Sequence, residues 1–252
     1  GDPKLVIEDI EKIVEELRKR GLNEIRGKWI VDDSLFSEPE INPASFDGKP
    51  MKPYNVGPSA AMINFKATEL LIERKNKKIN ITFKPELADV ILKNKLRFVN
   101  GGCNKNMYLT NYSRGTLSIR GRYGKRCKSK SLFVSLMNQK NFGYSVFKKA
   151  WEKSGGLIKT TIEYGKTPEN AKLLYSWISP RTLTDIVNDI NTMSNNTMAR
   201  TVFLNLSANK NTKGDLEVSR LIVDNWLQRK GFYFKNLLID NGSGLSRKVK
   251  IS

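Results

Sequence analysis

The sequence predicts an α+β chain with a large β-rich region set into it. Three observations lead there. Apolar residues recur at helical spacing near both ends: Ile10, Ile13, Val14 and Leu17 at the start, and Leu183, Ile186, Val187 and Ile190 in the last third. Between them lie short segments of period two, clearest in Ile79-Asn80-Ile81-Thr82-Phe83. Trp, Phe, Tyr and β-branched residues recur throughout, so a hydrophobic fraction of 39% still suffices to bury a core.

The first helix has Glu8, Asp9 and Glu11 in its opening turns and Lys19 and Arg20 at its close, which complements the macrodipole; Gly21 stops it. A strand is predicted over 25–31. Prolines 39, 43, 50, 53 and 58 make 37–58 a long irregular connection. Residues 60–65 and 69–73 read as the strands of a hairpin. From 77 to 130 short β segments alternate with polar turns, and 116–122 is partly period two. An apolar strand over 131–137 precedes a helix over 142–153 that ends at Gly155-Gly156. Thr182 or Thr184 caps the helix that carries the Leu183 stripe. Met198, Val202, Phe203 and Leu206 mark a second helix, and Val218, Leu221, Ile222 and Leu227 a third, stopped by Gly231. Leu237-Leu238-Ile239 reads as a buried strand that delivers Asp240. The resulting organisation is an α+β domain over 1–75 and 131–165, a small β-rich module over 76–130 nested in it, and a mostly helical section over 166–252.

Composition removes several chemistries. There is no histidine, which excludes Ser-His-Asp and Cys-His catalysis. Two cysteines cannot supply a zinc set, and neither metal nor cofactor is expected. No apolar run reaches membrane-spanning length. Net charge is +19, from 44 Lys and Arg against 25 Asp and Glu. The scattered lysines read as solvated faces, with the densest cluster over 114–130, including Arg120, Arg122, Lys125, Arg126 and Lys128. That cluster is able to touch an acidic surface. No helix carries a basic stripe with base-reading residues, so no nucleic-acid partner is expected.

Two motifs carry the functional reading. Ser194-Asn195-Asn196 ends an apolar-periodic segment, and Asp240-Asn241-Gly242-Ser243-Gly244-Leu245-Ser246-Arg247 lies downstream. Residues two apart diverge by about 200° on a helix, so Ser194 and Asn196 share a cleft only in a turn. Glycines on both sides of Ser243 permit close backbone approach, and Arg247 offers a rigid fork to an anion. An S-x-N triplet followed by D-x-G-S-G-L-S-R resembles the serine-type D-Ala-D-Ala carboxypeptidases and endopeptidases, the class C low-molecular-mass penicillin-binding proteins. The resemblance covers nearly the whole chain. It takes in Gly1-Asp2-Pro3, the segment from Gly27 to Phe36 with its D-x-S-x-F ending, Tyr54 to Asn64, and Thr182 to Phe203.

The resemblance implies part of a transpeptidase-like domain, with 166–252 as its mostly helical part and the β-rich region inserted. It implies acyl transfer on peptidoglycan stem peptides in a periplasmic enzyme that β-lactams acylate. It implies that Ser194 moves protons between nucleophile, lysine and leaving amine, and that Asn196 holds the substrate amide. Arg247 would recognise a stem carboxylate such as that of diaminopimelate. Asp32 would accept that residue's amine, and Phe36 would pack on its methylenes; packing at a strand end is the competing account of this pair, and Asp33 competes with Asp32 as the acid. Members of the family carry a cysteine pair around the corresponding segment, which makes Cys103 and Cys127 a candidate disulfide worth about 3 kcal/mol, against two free buried thiols. Asn241 and Lys248 depart from the family's usual acid and histidine. The family's S-x-x-K nucleophile motif precedes the G-D-P stretch, and its K-T-G motif follows the glycine-rich loop. The chain is read as lacking both, as an internal piece that is inactive alone. The rival reading is a catalytically dead module that binds wall polymer.

Overall fold

The computed structural model describes residues 1–37, 41–103, 106–209, 211–248 and 250. Helix α1 (Ile7–Lys19) opens with the Asp9 carboxylate accepting from the Val6 N–H at 3.1 Å. Asp9 is 1% exposed, and Arg181 binds it through Nη1 at 2.7 Å and Nη2 at 3.3 Å. A second pair, Lys4 with Asp189, joins the same two parts of the chain. These pairs tie the amino-terminal helix to the helical section that follows residue 180.

Strand β1 (Glu24–Val31) has its neighbour far away in sequence. It pairs in parallel with β8 (Leu157–Tyr164), from Glu24↔Leu157 to Val31↔Tyr164. Helix α2 (Gln139–Lys153) covers this pair, with Asn138 Oδ1 accepting from Asn141 N–H at 3.0 Å at its start. Trp29 meets Phe147 at 4.6 Å between ring centroids, and Phe147 stacks on Trp151 at 5.8 Å. The Trp151 indole donates to the Leu157 carbonyl at 2.9 Å. A Cβ at Gly156 would fall 2.3 Å from that indole, so the chain can leave α2 here only through a glycine.

Two three-stranded sheets stack beyond α2. One has the order β3-β2-β7, from β2 (Thr68–Lys75), β3 (Lys78–Lys84) and β7 (Ser129–Val134), all antiparallel. The other has the order β4-β6-β5, from β4 (Ile91–Val99), β5 (Met107–Ser113) and β6 (Thr116–Gly124), with β4 parallel to β6. Ile72, Ile119, Tyr123 and Cys127 fill the space between them, and the Tyr123 hydroxyl donates to the Ile72 carbonyl at 3.1 Å. Cys103 and Cys127 are disulfide-bonded, S–S 2.09 Å. β3 lies within 76–130 yet pairs with β2, outside that segment.

The helical section holds α3 (Leu183–Met193), α4 (Asn196–Asn205) and α5 (Leu216–Arg229). Thr182 is the cap of α3: its hydroxyl accepts from Asp185 N–H at 3.2 Å, and Asp185 accepts from Thr182 N–H at 2.9 Å.

Three expectations need correction. Residues 60–65 are not a strand. The Ala60 and Ala61 N–H groups go to the Asp33 carboxylate, and Asn64, Phe65 and Lys66 all have positive φ, so the partner of β2 is β3 across the Asn76-Lys77 turn. Leu237-Leu238-Ile239 is not a buried strand either: among the described residues Leu238 makes a single bridge, to Lys250, and it is 39% exposed. β8 was not foreseen; its inward residues Ile158, Thr160 and Ile162 alternate, but charged and polar neighbours dilute the pattern.

Replacing Asp9 with alanine leaves the Arg181 guanidinium without its buried partner. The expected cost is about 3 kcal/mol of unfolding free energy, read from urea denaturation.

Candidate active site

Ser194 to Asn196 form the corner between α3 and α4. Ser194 closes α3 in the left-handed region, φ 50° and ψ 45°. A non-glycine residue there carries strain of about 1 kcal/mol, and such strain collects at functional positions. Asn195 turns inward as the α4 cap, its Oδ1 accepting from Met198 N–H at 3.0 Å. The middle residue is thereby locked, while Ser194 is exposed and Asn196 half-buried. Among the described residues neither the Ser194 hydroxyl nor the Asn196 carboxamide has a hydrogen-bond partner.

The glycine-rich loop docks on the next turns of α4. Arg200 is 6% exposed; its Nε donates to Ser243 Oγ at 3.3 Å, its Nη2 to the Leu245 carbonyl at 3.4 Å and its Nη1 to the Val56 carbonyl at 3.3 Å. Burial pushes the Arg200 guanidinium below the usual arginine value, with Asp240 pulling the other way. A Cβ at Gly242, φ 74°, would meet Phe203 Cβ at 2.6 Å, which is the close approach that the glycines permit. From α5, Arg220 Nε donates to the Asp240 carbonyl at 2.9 Å and Nη2 to the Asp240 carboxylate at 3.0 Å. Two arginines on successive helices therefore set the loop. Neither was foreseen, although Thr197, Arg200, Thr201 and Leu204 share one buried stripe, and an arginine on such a stripe is a readable signal.

Arg247 lies against Phe46. Its guanidinium is 5.1 Å from the ring centroid, and Nη2 donates to the Phe46 carbonyl at 3.1 Å. Asp32 lines a cleft of about 510 Å³ with Ala60, Asn209 and Lys213. The Ser34 hydroxyl at 2.6 Å, the Thr167 N–H at 2.8 Å and the Ser34 N–H hold its carboxyl well below the usual carboxylate range. Asp33 is committed elsewhere, to the Ser59 hydroxyl and the Ala60 and Ala61 N–H groups. Phe36, expected to face substrate, is 9% exposed and packs on Gly214, where a Cβ would lie 2.6 Å from its ring; packing accounts for it. The Asp32 cleft is lined by Asn209, Asn211, Thr212 and Lys213 of the segment that follows α4, and by none of Ser194, Asn196 or Arg247. Gly1 reaches the end of α4, where Asn205 Nδ2 donates to its carbonyl at 3.0 Å. A larger cavity, about 630 Å³, lies among α1, α2 and β3, away from these residues.

The expected lack of S-x-x-K also needs correction. The string occurs at Ser145-Val146-Phe147-Lys148 and at Ser207-Ala208-Asn209-Lys210. The first is structural: Ser145 is buried and donates to the Ala88 carbonyl at 2.6 Å, and Lys148 binds Asp89 at 2.7 Å. Ser207 Oγ accepts from Asp215 N–H at 2.8 Å and contacts Ser219 Oγ at 2.8 Å, while Lys210 lies outside the described residues. No group of His, Cys, Asp or Glu among the described residues could hold a metal ion. No helix among them is long and apolar enough to cross a membrane.

Comparison with known proteins gives a consistent result. A family model described as D-Ala-D-Ala carboxypeptidase 3 (S13) matches residues 1–252. The D-alanyl-D-alanine carboxypeptidase DacB of Haemophilus influenzae is 22% identical over 98% of this chain and 52% of its own length. The crystal structure of penicillin binding protein 4 (dacB) from the same organism superposes with TM-score 0.75 and 21% identity, over 99% of this chain and 56% of that one. The same protein complexed with a novel β-lactam gives TM-score 0.68 and 20% identity, over 99% and 54%. The fold is thus that of the corresponding part of penicillin binding protein 4, and the chain spans about half the length of these relatives.

Three outcomes follow from this geometry. Arg200→Ala strands three acceptors and should cost about 2–4 kcal/mol, with faster proteolysis across residues 241–248. Arg200→Lys should not restore the loop, because an ammonium cannot reproduce the fork. Asp32→Asn should lower stability at pH 7 by about 1 kcal/mol in thermal or urea unfolding. The folded carboxyl titrates below its ordinary 3.8, so the wild-type advantage is full above that value and shrinks as pH falls through the folded value.

Proposed function

The chain belongs to the D-Ala-D-Ala carboxypeptidase 3 (S13) family, and on that premise we propose that it forms part of a serine-type carboxypeptidase and endopeptidase acting on peptidoglycan stem peptides. The observation that carries this reading is the α3–α4 corner, where a hydroxyl and a carboxamide stand unengaged on either side of a locked asparagine. In the proposed reaction a serine Oγ attacks the carbonyl carbon of the penultimate D-Ala. The C–N bond breaks, the terminal D-Ala leaves with a proton on its amine, and water later hydrolyses the ester. Ser194 relays the proton toward the leaving amine. Asn196 orients the scissile amide, offering both a donor and an acceptor. The nucleophile and the oxyanion donors are assigned to no residue of this chain.

Arg247 and Asp32 are the proposed contacts to the stem's charged side chain. Phe46 and its carbonyl fix the Arg247 fork from one side, and Asp32 lines an open cleft in its ionised form. A disulfide and a wall substrate together favour a periplasmic setting.

Labelling with a fluorescent penicillin tests the reading. Residues 1–252 alone should stay unlabelled, and the longer protein should label covalently. Asn196→Ala in the longer protein should slow acylation about 100-fold, the scale of losing one preorganised donor at an acyl-transfer site. A longer protein that never labels, yet binds wall polymer, would establish the catalytically dead module instead.

A further inference from the structure

The β4-β6-β5 sheet has two faces of opposite character. Leu92, Leu96, Phe98, Ile119 and Tyr123 point into the core shared with the β3-β2-β7 sheet. Asn94 on that side donates to the Ile79 carbonyl at 2.9 Å. Side chains alternate along a strand, so Lys93, Lys95 and Arg97 of β4 project from the other face, as do Arg120 and Arg122 of β6. All five are exposed. The register sets Lys95 opposite Arg120 and Arg97 opposite Arg122. On the far side of β6, Tyr108 stands opposite Arg120 and is 55% exposed.

None of these five cations has a carboxylate partner among the described residues. The sequence explains why: no Asp or Glu occurs between Asp89 and Glu152, while the same stretch holds fourteen Lys and Arg. The cations of β4 and β6 are thus gathered on one solvated face of this sheet. Like charges placed directly across strands destabilise a sheet, so this arrangement works against the fold that carries it. Alternate residues on a strand are about 6.6 Å apart and neighbouring strands about 4.8 Å, which makes the five a closely spaced array of cations.

We propose that this face docks a carboxylate-rich, peptide-bearing glycan, the polymer that the function proposed above makes the substrate; the inference rests on that reading for the identity of the polymer. Charge complementarity selects a polyanion. A cationic sheet face beside an exposed aromatic ring suits carboxylates on flexible stems and sugar faces between them. It belongs to a three-stranded sheet, not to a free two-stranded ribbon of the kind that fits a major groove, and it carries no amphipathic helix to lie in a bilayer. The face is on a different sheet from β1-β8 and carries none of the α3–α4 corner, so it holds the polymer and does not react with it.

Co-sedimentation with purified peptidoglycan sacculi tests this. The probe protein is the full 252-residue chain, compared with a variant carrying Lys93→Gln, Lys95→Gln, Arg97→Gln, Arg120→Gln and Arg122→Gln. The wild type should pellet with sacculi and be released as salt rises from about 50 to about 500 mM, and the variant should bind at least ~10-fold more weakly. Blocking the sacculus carboxylates by amidation should release the wild type. The variant's thermal midpoint should be unchanged or higher, because the like-charge pairs are gone. Undiminished binding by the variant overturns the proposal. A lower thermal midpoint overturns it too, by making the cations structural. Tighter binding to duplex DNA or to phosphatidylglycerol vesicles than to sacculi overturns it in favour of those partners. The assay needs no acyl transfer, so failure of penicillin labelling and failure of docking are separate results.

Discussion

The buried guanidinium of Arg200 holds the candidate site together. It is a desolvated cation with no directly bonded carboxylate among the described residues, and it is satisfied by oxygens from Val56 and from Ser243 and Leu245 of the glycine-rich loop. An uncompensated buried charge would be costly, so its acceptors are held in place as firmly as it holds them. One side chain on α4 thereby fixes the connection before β2, the helix that starts at the Ser194 corner, and the loop that ends in Arg247. The corner's geometry is in turn set by the Asn195 cap. Arg220 repeats the device one helix later at Asp240.

Much of the fold was legible because it rests on local rules. The helices α1, α3, α4 and α5, the Gly21 and Gly231 stops, and the alternation in β3 follow from period and capping alone, although Leu183 and Val187 of α3 and Val218 and Leu221 of α5 are exposed and do not face a core. The misreadings have one physical cause, which is competition for backbone groups by partners distant in sequence. Ala60 and Ala61 resemble a strand start until Asp33 takes their N–H groups. Leu237 to Ile239 resemble a buried strand, but a strand needs a neighbour, and among the described residues Leu238 finds one bridge. β8 is the converse: an unremarkable polar segment becomes a strand because β1 and α2 supply its partners.

The site was legible where spacing determines geometry. Ser194 and Asn196 cannot share a helical face, and the chain does break between them, with Ser194 left-handed and Asn196 opening α4. It was illegible where one residue type serves two purposes. Phe36 and Asp32 belong to the same short motif, yet one is consumed by packing on Gly214 while the other faces a cleft. Asp33, adjacent to Asp32, caps a turn. S-x-x-K strings are equally ambiguous, since Ser145 and Lys148 satisfy the pattern while serving α2 and its surroundings.

The distribution of carboxylates gives the charge of the molecule a structural meaning. Asp9 sits under α1 and Arg181, Asp32 and Asp33 bind turns, Asp185 and Asp215 cap α3 and α5, and Asp240 anchors the glycine-rich loop. These acids stand where a backbone N–H or an arginine needs an acceptor, and others, such as Asp89, Glu86 and Asp189, pair with lysines. Strands β4, β5 and β6 hold no Asp or Glu; their backbone groups pair strand to strand and their inner face is apolar. A sheet without carboxylates of its own is free to carry cations on its outer face. Yet freedom from acids does not itself require five cations there, since threonine or glutamine would solvate the same face without opposing like charges across β4 and β6. The positive face is therefore a feature added to the fold and not a consequence of it, which separates the catalytic question at the α3–α4 corner from the question of what the β4-β6-β5 sheet touches.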